Sequence, residues 1–198
     1  MSKASISRLT LGAFRDDIQS RPMPGCGAVA ANAAADGLSL VLKGLRLTGT
    51  NDDDGPGQRL IEQAQRLVAQ LGDYADEDIA AFKAYLAAKK QAHGHESDTA
   101  LDEAVERINQ VPLDTARCCL AALEYSEQAI DEIKPALQSD ARAGAQLIHA
   151  GLSMVLINVD TNIDGLEDAA ERRQLAGQRA SLQAEADRLL ERLAGARS

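Results

Sequence analysis

The sequence contains few aromatic residues and few cysteines. It has no tryptophan, two phenylalanines and three tyrosines, which argues against a protein that stacks successive nucleobases on aromatic side chains. The three cysteines are Cys26 and the adjacent pair Cys118 and Cys119. An odd number without C-x-x-C spacing argues against a disulfide framework and against redox catalysis, and it predicts free thiols in a reducing compartment.

The chain also lacks an excess of positive charge and a long uninterrupted apolar run. Its 21 basic and 30 acidic residues give a net charge of −9, which argues against a general electrostatic grip on nucleic acid. No stretch approaches the roughly 18 consecutive apolar residues of a membrane span. Residues 1–19 lack the apolar core of a secretory signal. We therefore expect a cytoplasmic protein that binds neither nucleic acid nor a membrane.

Helical periodicity, by contrast, extends along nearly the whole chain. Hydrophobic residues make up 45% of the 198 positions, which is enough for one domain with its own core. Strand-type alternation over four or more residues is not evident. We predict an all-α protein with a single domain over residues 1–198, built as a bundle of five to seven helices with antiparallel neighbours.

The helix boundaries follow from caps and prolines. Thr10 is a plausible N-cap of a first helix, which Pro22 and Pro24 must end because neither fits a helix interior. A second helix, crowded with alanine and glycine, is expected over residues 27–47, and a third of unusual length from about residue 60 to 90. Small side chains allow a neighbouring backbone or a ligand to come close.

Two further boundaries are expected in the second half. Val111-Pro112 predicts the start of a new helix after one that ends near Asn109, since proline is favoured in a first turn. The segment 164–198 carries leucines every seven residues, at Leu175, Leu182 and Leu189. This heptad pattern predicts a long amphipathic C-terminal helix that packs on the bundle or on a second subunit.

Two loops contain residue types that bind metals. The run Asp52–Asp54 could offer oxygen ligands to a divalent cation, and His93 and His95 lie in a short polar loop. A solvated acidic loop and a polar turn account for them better, because no second cluster completes a coordination sphere. We therefore predict no metal site.

Acid–base chemistry is what the remaining polar residues favour. Asp78 lies within the long third helix and Asp140 at a helix start, where capping is its ordinary role. Asn158 and Asn162 share one helix face at i and i+4, and buried amides there need partners from another helix, another subunit or a polar ligand. The turn Gly25-Cys26-Gly27 exposes backbone N–H groups at a helix N-terminus, a feature that attracts anions.

The order of these motifs resembles the formimidoyltetrahydrofolate cyclodeaminase and methenyltetrahydrofolate cyclohydrolase family. Residues 22–31, PMPGCGAVAA, resemble its Pro-x-Pro-Gly-Gly-Gly-Ser-Val-Ala-Ala signature. Residues 78–82 are similar to its Asp-x-x-Ala-Phe helix, and residues 158–162 to its Asn-Val-x-x-Asn motif. The match extends from about residue 11 to residue 168.

This resemblance implies a helical, usually dimeric enzyme that acts on a reduced folate without a metal or a redox cofactor. The simplest activity is hydrolysis of 5,10-methenyltetrahydrofolate to 10-formyltetrahydrofolate by acid–base catalysis. Cyclodeaminase activity is the less favoured alternative, because no formiminotransferase domain is attached to this sequence.

The resemblance also implies roles for individual residues. Asp140 and Asp78 are the catalytic candidates, Asp140 as an acid–base or pterin-binding carboxylate. Asn158 and Asn162 would order water or ligand. The turn residues that would line the folate pocket are Gly25, Cys26, Gly27 and Ala28, and the cations expected to bind the glutamyl tail are Lys43, Arg46, Lys89 and Lys90.

Departures from the signature keep two other hypotheses open. Cys26 replaces a glycine that could have allowed positive φ, and Ala28 replaces a serine that could have capped the helix. The chain could therefore be a diverged member that serves as a dimeric binding or scaffold protein or has changed substrate. It could also be a structural helical protein whose match is accidental. The enzyme hypothesis requires the Gly25 turn, Asp140 and Asn158 to meet in one pocket.

Overall fold

The computed structural model describes residues 5–49, 56–91, 99–166 and 168–195. These residues form six α-helices and two short 3₁₀ turns, with no strand. The prediction of an all-α bundle of five to seven helices is confirmed. The helices are α1 (Leu11–Ser20), α2 (Cys26–Thr48), α3 (Pro56–Gln91), α4 (Thr99–Ile130), α5 (Gln138–Asp164) and α6 (Ala169–Gly195).

The first helices begin and end where the sequence predicts. The Thr10 hydroxyl oxygen accepts a hydrogen bond of 3.1 Å from the backbone N–H of Ala13, so Thr10 caps α1. A cis peptide bond between Met23 and Pro24 lies in the turn that follows. α2 then begins at Cys26 and ends before Gly49, whose φ of 78° is the left-handed conformation that suits glycine at a helix end.

Close packing explains the small residues of α2. This helix lies at the centre of the bundle, between α5 and α3. A Cβ added to Gly37 would lie 2.5 Å from the carbonyl oxygen of Gly144, and one added to Gly151 would lie 2.7 Å from that of Ala30. The backbones of α2 and α5 therefore touch, and larger side chains would separate them.

One described helix meets the length and composition of a membrane span. α2 is 23 residues long and apolar enough, although 61% of its most apolar window is buried inside the bundle. This criterion is an average over a window and differs from an uninterrupted run of apolar residues, which α2 does not contain because Asn32, Asp36 and Lys43 lie within it. Its burial against α3 and α5 is the usual environment of a core helix in a bundle.

The predicted break at Pro112 is wrong, because α4 continues through it. The proline lacks the N–H that would pair with the carbonyl of Ile108, four residues earlier. Asn162 of α5 supplies a replacement, since its Nδ2 donates to that carbonyl oxygen at 2.8 Å. A partner from another helix thus allows a proline inside α4.

The heptad leucines of the C-terminal segment pack on their own chain. α6 lies against α5 and α4, with Ala186, Leu189 and Leu193 buried in the core. The Nε of Arg179 adds a bifurcated ion pair with both carboxylate oxygens of Asp160 on α5, at 2.9 and 3.1 Å. The predicted segment 164–198 needs one adjustment, since α5 includes Asp164 and α6 begins at residue 169.

Candidate active site

A cavity of about 480 Å³ lies between the start of α2, the middle of α3, α4 and the end of α5. Its wall combines polar groups with apolar and aromatic side chains. The polar members are Cys26, Asp78, Asn109, Asn158, Thr161 and Asn162, and the larger apolar and aromatic members are Met23, Phe82, Tyr85, Val105, Ile108 and Leu166.

The Asp78 carboxylate is held against the N-terminus of α2. Its Oδ2 accepts a hydrogen bond of 3.1 Å from the backbone N–H of Ala28. A Cβ on Gly27 would overlap with Oδ1 of Asp78 and would lie 3.1 Å from Nδ2 of Asn158. Only glycine at position 27 therefore leaves room for this carboxylate beside α2, where it replaces a local capping side chain.

Burial raises the pKa of Asp78 above its ordinary value, and the hydrogen bond from Ala28 opposes that rise without cancelling it. The charged form loses hydration inside the cavity wall, which favours the protonated acid. A carboxyl group whose pKa is shifted toward neutrality is suited to take up and return a proton during a reaction.

The Cys26 thiol lines the same cavity but is not activated as a nucleophile. Its Sγ donates to the backbone carbonyl of Met154 at 3.3 Å. Burial and the nearby charge of Asp78 raise the pKa of this thiol, so it stays protonated at neutral pH. Cys26 lies in the first turn of α2, and no described residue other than glycine has a positive φ, so its bulk causes no backbone strain.

The two asparagines lie on one face of α5, as their spacing predicts, and both reach the cavity. Asn158 approaches the start of α2 beside Gly27. Asn162 instead uses one N–H of its Nδ2 to hold the Ile108 carbonyl, which leaves Oδ1 and the second N–H available to a ligand. The amide expected to order a ligand therefore also maintains the continuity of α4.

The candidate cations fall into two groups. Lys89 lies near the cavity, because its Nζ stands 5.6 Å from the ring centroid of the cavity residue Tyr85. Lys90 is an exposed neighbour at the end of α3. Lys43 and Arg46 are exposed near the other end of α2 from Cys26, about 25 Å along the helix axis.

The structure corrects the expected placement of Asp140. This carboxylate lies in the first turn of α5, about 27 Å along the helix from Asn158. It forms an ion pair of 2.6 Å with Lys43, with 42% of its side chain exposed. The Gly25 turn and Asn158 meet in one cavity as required, but Asp140 does not lie in it, so the requirement is met only in part and Asp78 is the carboxylate that lines the cavity.

Three cavity residues with polar side-chain groups were not predicted as site residues from the sequence. Asn109 was expected only as the end of a helix, Thr161 lies between two motif residues, and Tyr85 belongs to no motif within the predicted third helix. Their positions are the signal that could have identified them. Tyr85 and Thr161 lie on helices that carry predicted site residues, and Asn109 lies close to Pro112.

No metal site is found among the residues that the structure describes, where no three histidine, cysteine or acidic side chains are grouped around a common point. The one histidine within those ranges, His149, is 2.6 Å from Oδ1 of Asp187. Residues 52–54, His93 and His95 lie outside the described ranges.

An all-helical bundle with a partly buried carboxylate, amides and a thiol around one cavity has the groups that an acid–base enzyme needs. Residues 10–181 match the family described as formiminotransferase-cyclodeaminase, and the chain belongs to this family of folate one-carbon enzymes.

Two known proteins are similar over almost the whole chain. A methenyltetrahydrofolate cyclohydrolase of Methylorubrum extorquens is 28% identical over 194 residues, with 93% of each chain covered. The crystal structure of a formiminotetrahydrofolate cyclodeaminase from Thermotoga maritima superimposes with a TM-score of 0.83 at 25% identity, with 95% of each chain covered.

Proposed function

We propose that this protein hydrolyses 5,10-methenyltetrahydrofolate to 10-formyltetrahydrofolate, with Asp78 as the acid–base group. The observation that carries the proposal is the position of Asp78, which lines the cavity, contacts the start of α2 and has a raised pKa. The similarity to a protein named as a methenyltetrahydrofolate cyclohydrolase supports the choice of substrate.

In the first step, water adds to the methenyl carbon, which is bonded to N5 and N10 and shares their positive charge. The oxygen of water forms a bond to this carbon while the Asp78 carboxylate accepts one proton of the water. The product is a neutral tetrahedral carbon with one hydroxyl group and two C–N bonds. General-base assistance of this kind accelerates a reaction by roughly 10²- to 10⁴-fold.

In the second step, the bond between this carbon and N5 breaks. Asp78 returns its proton to N5, and the hydroxyl group loses a proton to solvent as the formyl carbonyl on N10 forms. One water is consumed and one proton is released. No atom changes its oxidation level, so the proposal includes no redox cofactor and no metal ion.

Asn158 is proposed to hold the attacking water. Its amide lies at the start of α2 close to the site of Asp78, as its 3.1 Å distance from a Cβ on Gly27 indicates. An amide offers both a donor and an acceptor, so it orients a water molecule without competing for the transferred proton.

The test is a turnover assay on the purified protein. The absorbance of methenyltetrahydrofolate should fall faster than in buffer alone, under conditions in which the uncatalysed hydrolysis is slow. An unchanged rate at saturating protein would contradict the proposal and would favour the binding or scaffold alternative.

Cyclodeaminase activity is the second candidate, because the solved structure from Thermotoga maritima carries that name. In this reaction N10 attacks the carbon of the protonated formimino group on N5, and the tetrahedral carbon expels ammonia to give the positively charged methenyl bridge. The same carboxyl group would take a proton from N10 and give it to the leaving nitrogen. Release of ammonia from formiminotetrahydrofolate distinguishes the two activities.

A cytoplasmic homodimer is part of the same proposal. Apolar side chains are exposed on the central helices, with Leu47 of α2 at 57% and Ile157 of α5 at 56%. Such residues are common where two subunits meet. Light scattering coupled to size-exclusion chromatography should give twice the chain mass of 21.0 kDa, and a monomer mass would contradict the dimer.

A further inference from the structure

One face of α3 carries a carboxylate, two aromatic rings and a cation in that order. Asp78, Phe82, Tyr85 and Lys89 are separated by four, three and four residues, which places them on one side of a helix. The row is about 16 Å long. The first three side chains line the candidate cavity, and Lys89 contacts the third.

The two aromatic side chains form an open apolar wall. The ring centroids of Phe82 and Tyr85 are 6.5 Å apart and their planes are inclined by 35°. Phe82 is 40% exposed, and the neighbouring Leu86 is 45% exposed. The chain has only five aromatic residues, so two of them in one cavity wall, rather than in the core, indicate a surface that a flat ligand group covers.

Lys89 adds a positive charge at the outer end of this wall. Its Nζ donates a hydrogen bond of 3.4 Å to the Tyr85 hydroxyl. Within the part of the chain that the structure describes, no acidic side chain forms an ion pair with Lys89. Its charge is therefore available to an anionic group of a ligand that lies over Tyr85.

We propose that the reduced folate lies along α3, with its pterin end at Asp78, its aminobenzoyl ring on Phe82 and Tyr85, and its glutamate carboxylate at Lys89. This proposal rests on the proposed function for the identity of the ligand. The chemical order of the row is the order of groups in the substrate, which joins a pterin, a benzoyl ring and an amino acid in one line.

This orientation selects one cation from the four candidates. Lys43 and Arg46 lie near the opposite end of α2 from the cavity, and Lys43 is already paired with Asp140. Lys89 alone among them contacts a cavity residue in the described structure. The proposed orientation of the folate also places the reacting N5 and N10 atoms at the Asp78 end of the row, where acid–base catalysis is proposed.

Three nested probes test the orientation by calorimetry. They are 5-formyl-tetrahydropterin, the primary amide of 5-formyl-tetrahydropteroic acid, which lacks glutamate and carries no carboxylate (the pteroate), and 5-formyltetrahydrofolate. Lys89→Gln should weaken binding of the folate about fivefold and leave the pteroate unchanged. Tyr85→Leu should weaken binding of the folate and the pteroate about fivefold, and leave the pterin unchanged.

The control variant is Lys83→Gln, which removes an exposed lysine of the same helix that lines a separate groove beside α1. It should bind all three probes as the wild type does. Equal weakening of folate and pteroate by Lys89→Gln, or no weakening of either, overturns the orientation.

The same experiment separates this proposal from the reaction. If the wild type shows the predicted binding pattern but does not hydrolyse methenyltetrahydrofolate, the orientation stands and the proposed reaction fails. If the wild type hydrolyses methenyltetrahydrofolate but Lys89→Gln and Tyr85→Leu bind all probes normally, the reaction stands and the orientation fails. If the wild type binds no probe, both proposals fail.

Discussion

The side-chain amide of Asn162 on α5 donates a hydrogen bond of 2.8 Å to the backbone carbonyl of Ile108 on α4. Pro112 cannot donate to that carbonyl, because it has no N–H. The bond therefore supplies the partner that the Ile108 carbonyl lacks within α4. It also fixes the α4 and α5 walls of the cavity relative to each other. Pro112, Ile108 and Asn162 all line that cavity.

The first prediction is that the contributions of Asn162 and Pro112 to stability are coupled. Asn162→Ala leaves a partly buried carbonyl without its partner and should lower the free energy of unfolding by about 1–3 kcal/mol. In a Pro112→Ala background, the new N–H at position 112 pairs with Ile108, so the same substitution should cost less. Urea denaturation of the four proteins in a double-mutant cycle measures the difference.

If Asn162→Ala lowers the free energy of unfolding equally in both backgrounds, the Asn162 amide does not stabilise the Ile108 carbonyl. The cycle compares the effect of Asn162→Ala in two backgrounds, so the loss of stability caused by removing the buried proline ring cancels.

The second prediction concerns the space that Gly27 leaves for Asp78. Gly27→Ala places a methyl group on the position of the Asp78 carboxylate and should displace it from the N-terminus of α2. We expect kcat to fall at least about 100-fold, because catalytic groups tolerate little displacement. Gly72→Ala is the matched control, since a Cβ at this α3 position meets nothing within 4 Å.

Gly72→Ala should retain turnover and gain up to about 1 kcal/mol of stability, as alanine favours a helix. Normal turnover by Gly27→Ala would mean that the position of Asp78 in the structure does not matter for the reaction.

The third prediction is that the ion pair between Asp140 and Lys43 is not part of the reaction. Asp140→Asn should change kcat by less than about twofold and stability by less than about 1 kcal/mol, because the pair is solvent-exposed. Both are measured on the same purified variant. A loss of turnover greater than about tenfold would indicate instead that Asp140 acts in the cavity of a second subunit.

The fourth prediction is that Asp78 lowers stability as the pH rises. Its pKa in the folded protein is raised by burial, so the neutral acid fits the fold better than the carboxylate does. The stability contributed by this group is present below the ordinary carboxyl pKa and is lost as the pH rises through the raised pKa. Asp78→Asn is neutral at every pH and should not show this loss.

Thermal denaturation at several pH values measures the pH-dependent loss of stability that is attributed to Asp78. The melting temperature of Asp78→Asn relative to wild type should increase from about pH 3 to neutral pH. A difference that stays constant, or one that decreases, would show that burial does not raise this pKa.

Local signals in the sequence were sufficient for most helix boundaries. The Thr10 cap, the pair Pro22 and Pro24, and the long periodic run of α3 each act within a few residues of the boundary that they set. The prediction of a helix boundary at Pro112 was wrong because the group that compensates for this proline, Asn162, is 50 residues away in sequence. The two residues are close only in the folded chain.

The candidate site was predictable only in part for the same reason. Gly25, Asp78 and Asn158 each belong to a recognisable motif, and the fold brings them together. Asp140 also belongs to one, but helix length places it near the far end of α5. Tyr85 carries no motif, and an aromatic residue at helical spacing has the same sequence pattern whether it faces a core or a cavity.

The most direct test of the account is the turnover of Asp78→Asn compared with wild type and with Asp73→Asn, a neutralised exposed carboxylate on the same helix. The rate of methenyltetrahydrofolate hydrolysis per enzyme should fall about 10²- to 10⁴-fold in Asp78→Asn, and this variant should remain folded. The rate of Asp73→Asn should remain at the wild-type level. Hydrolysis by Asp78→Asn at the wild-type rate would contradict the assignment of Asp78 as the acid–base group.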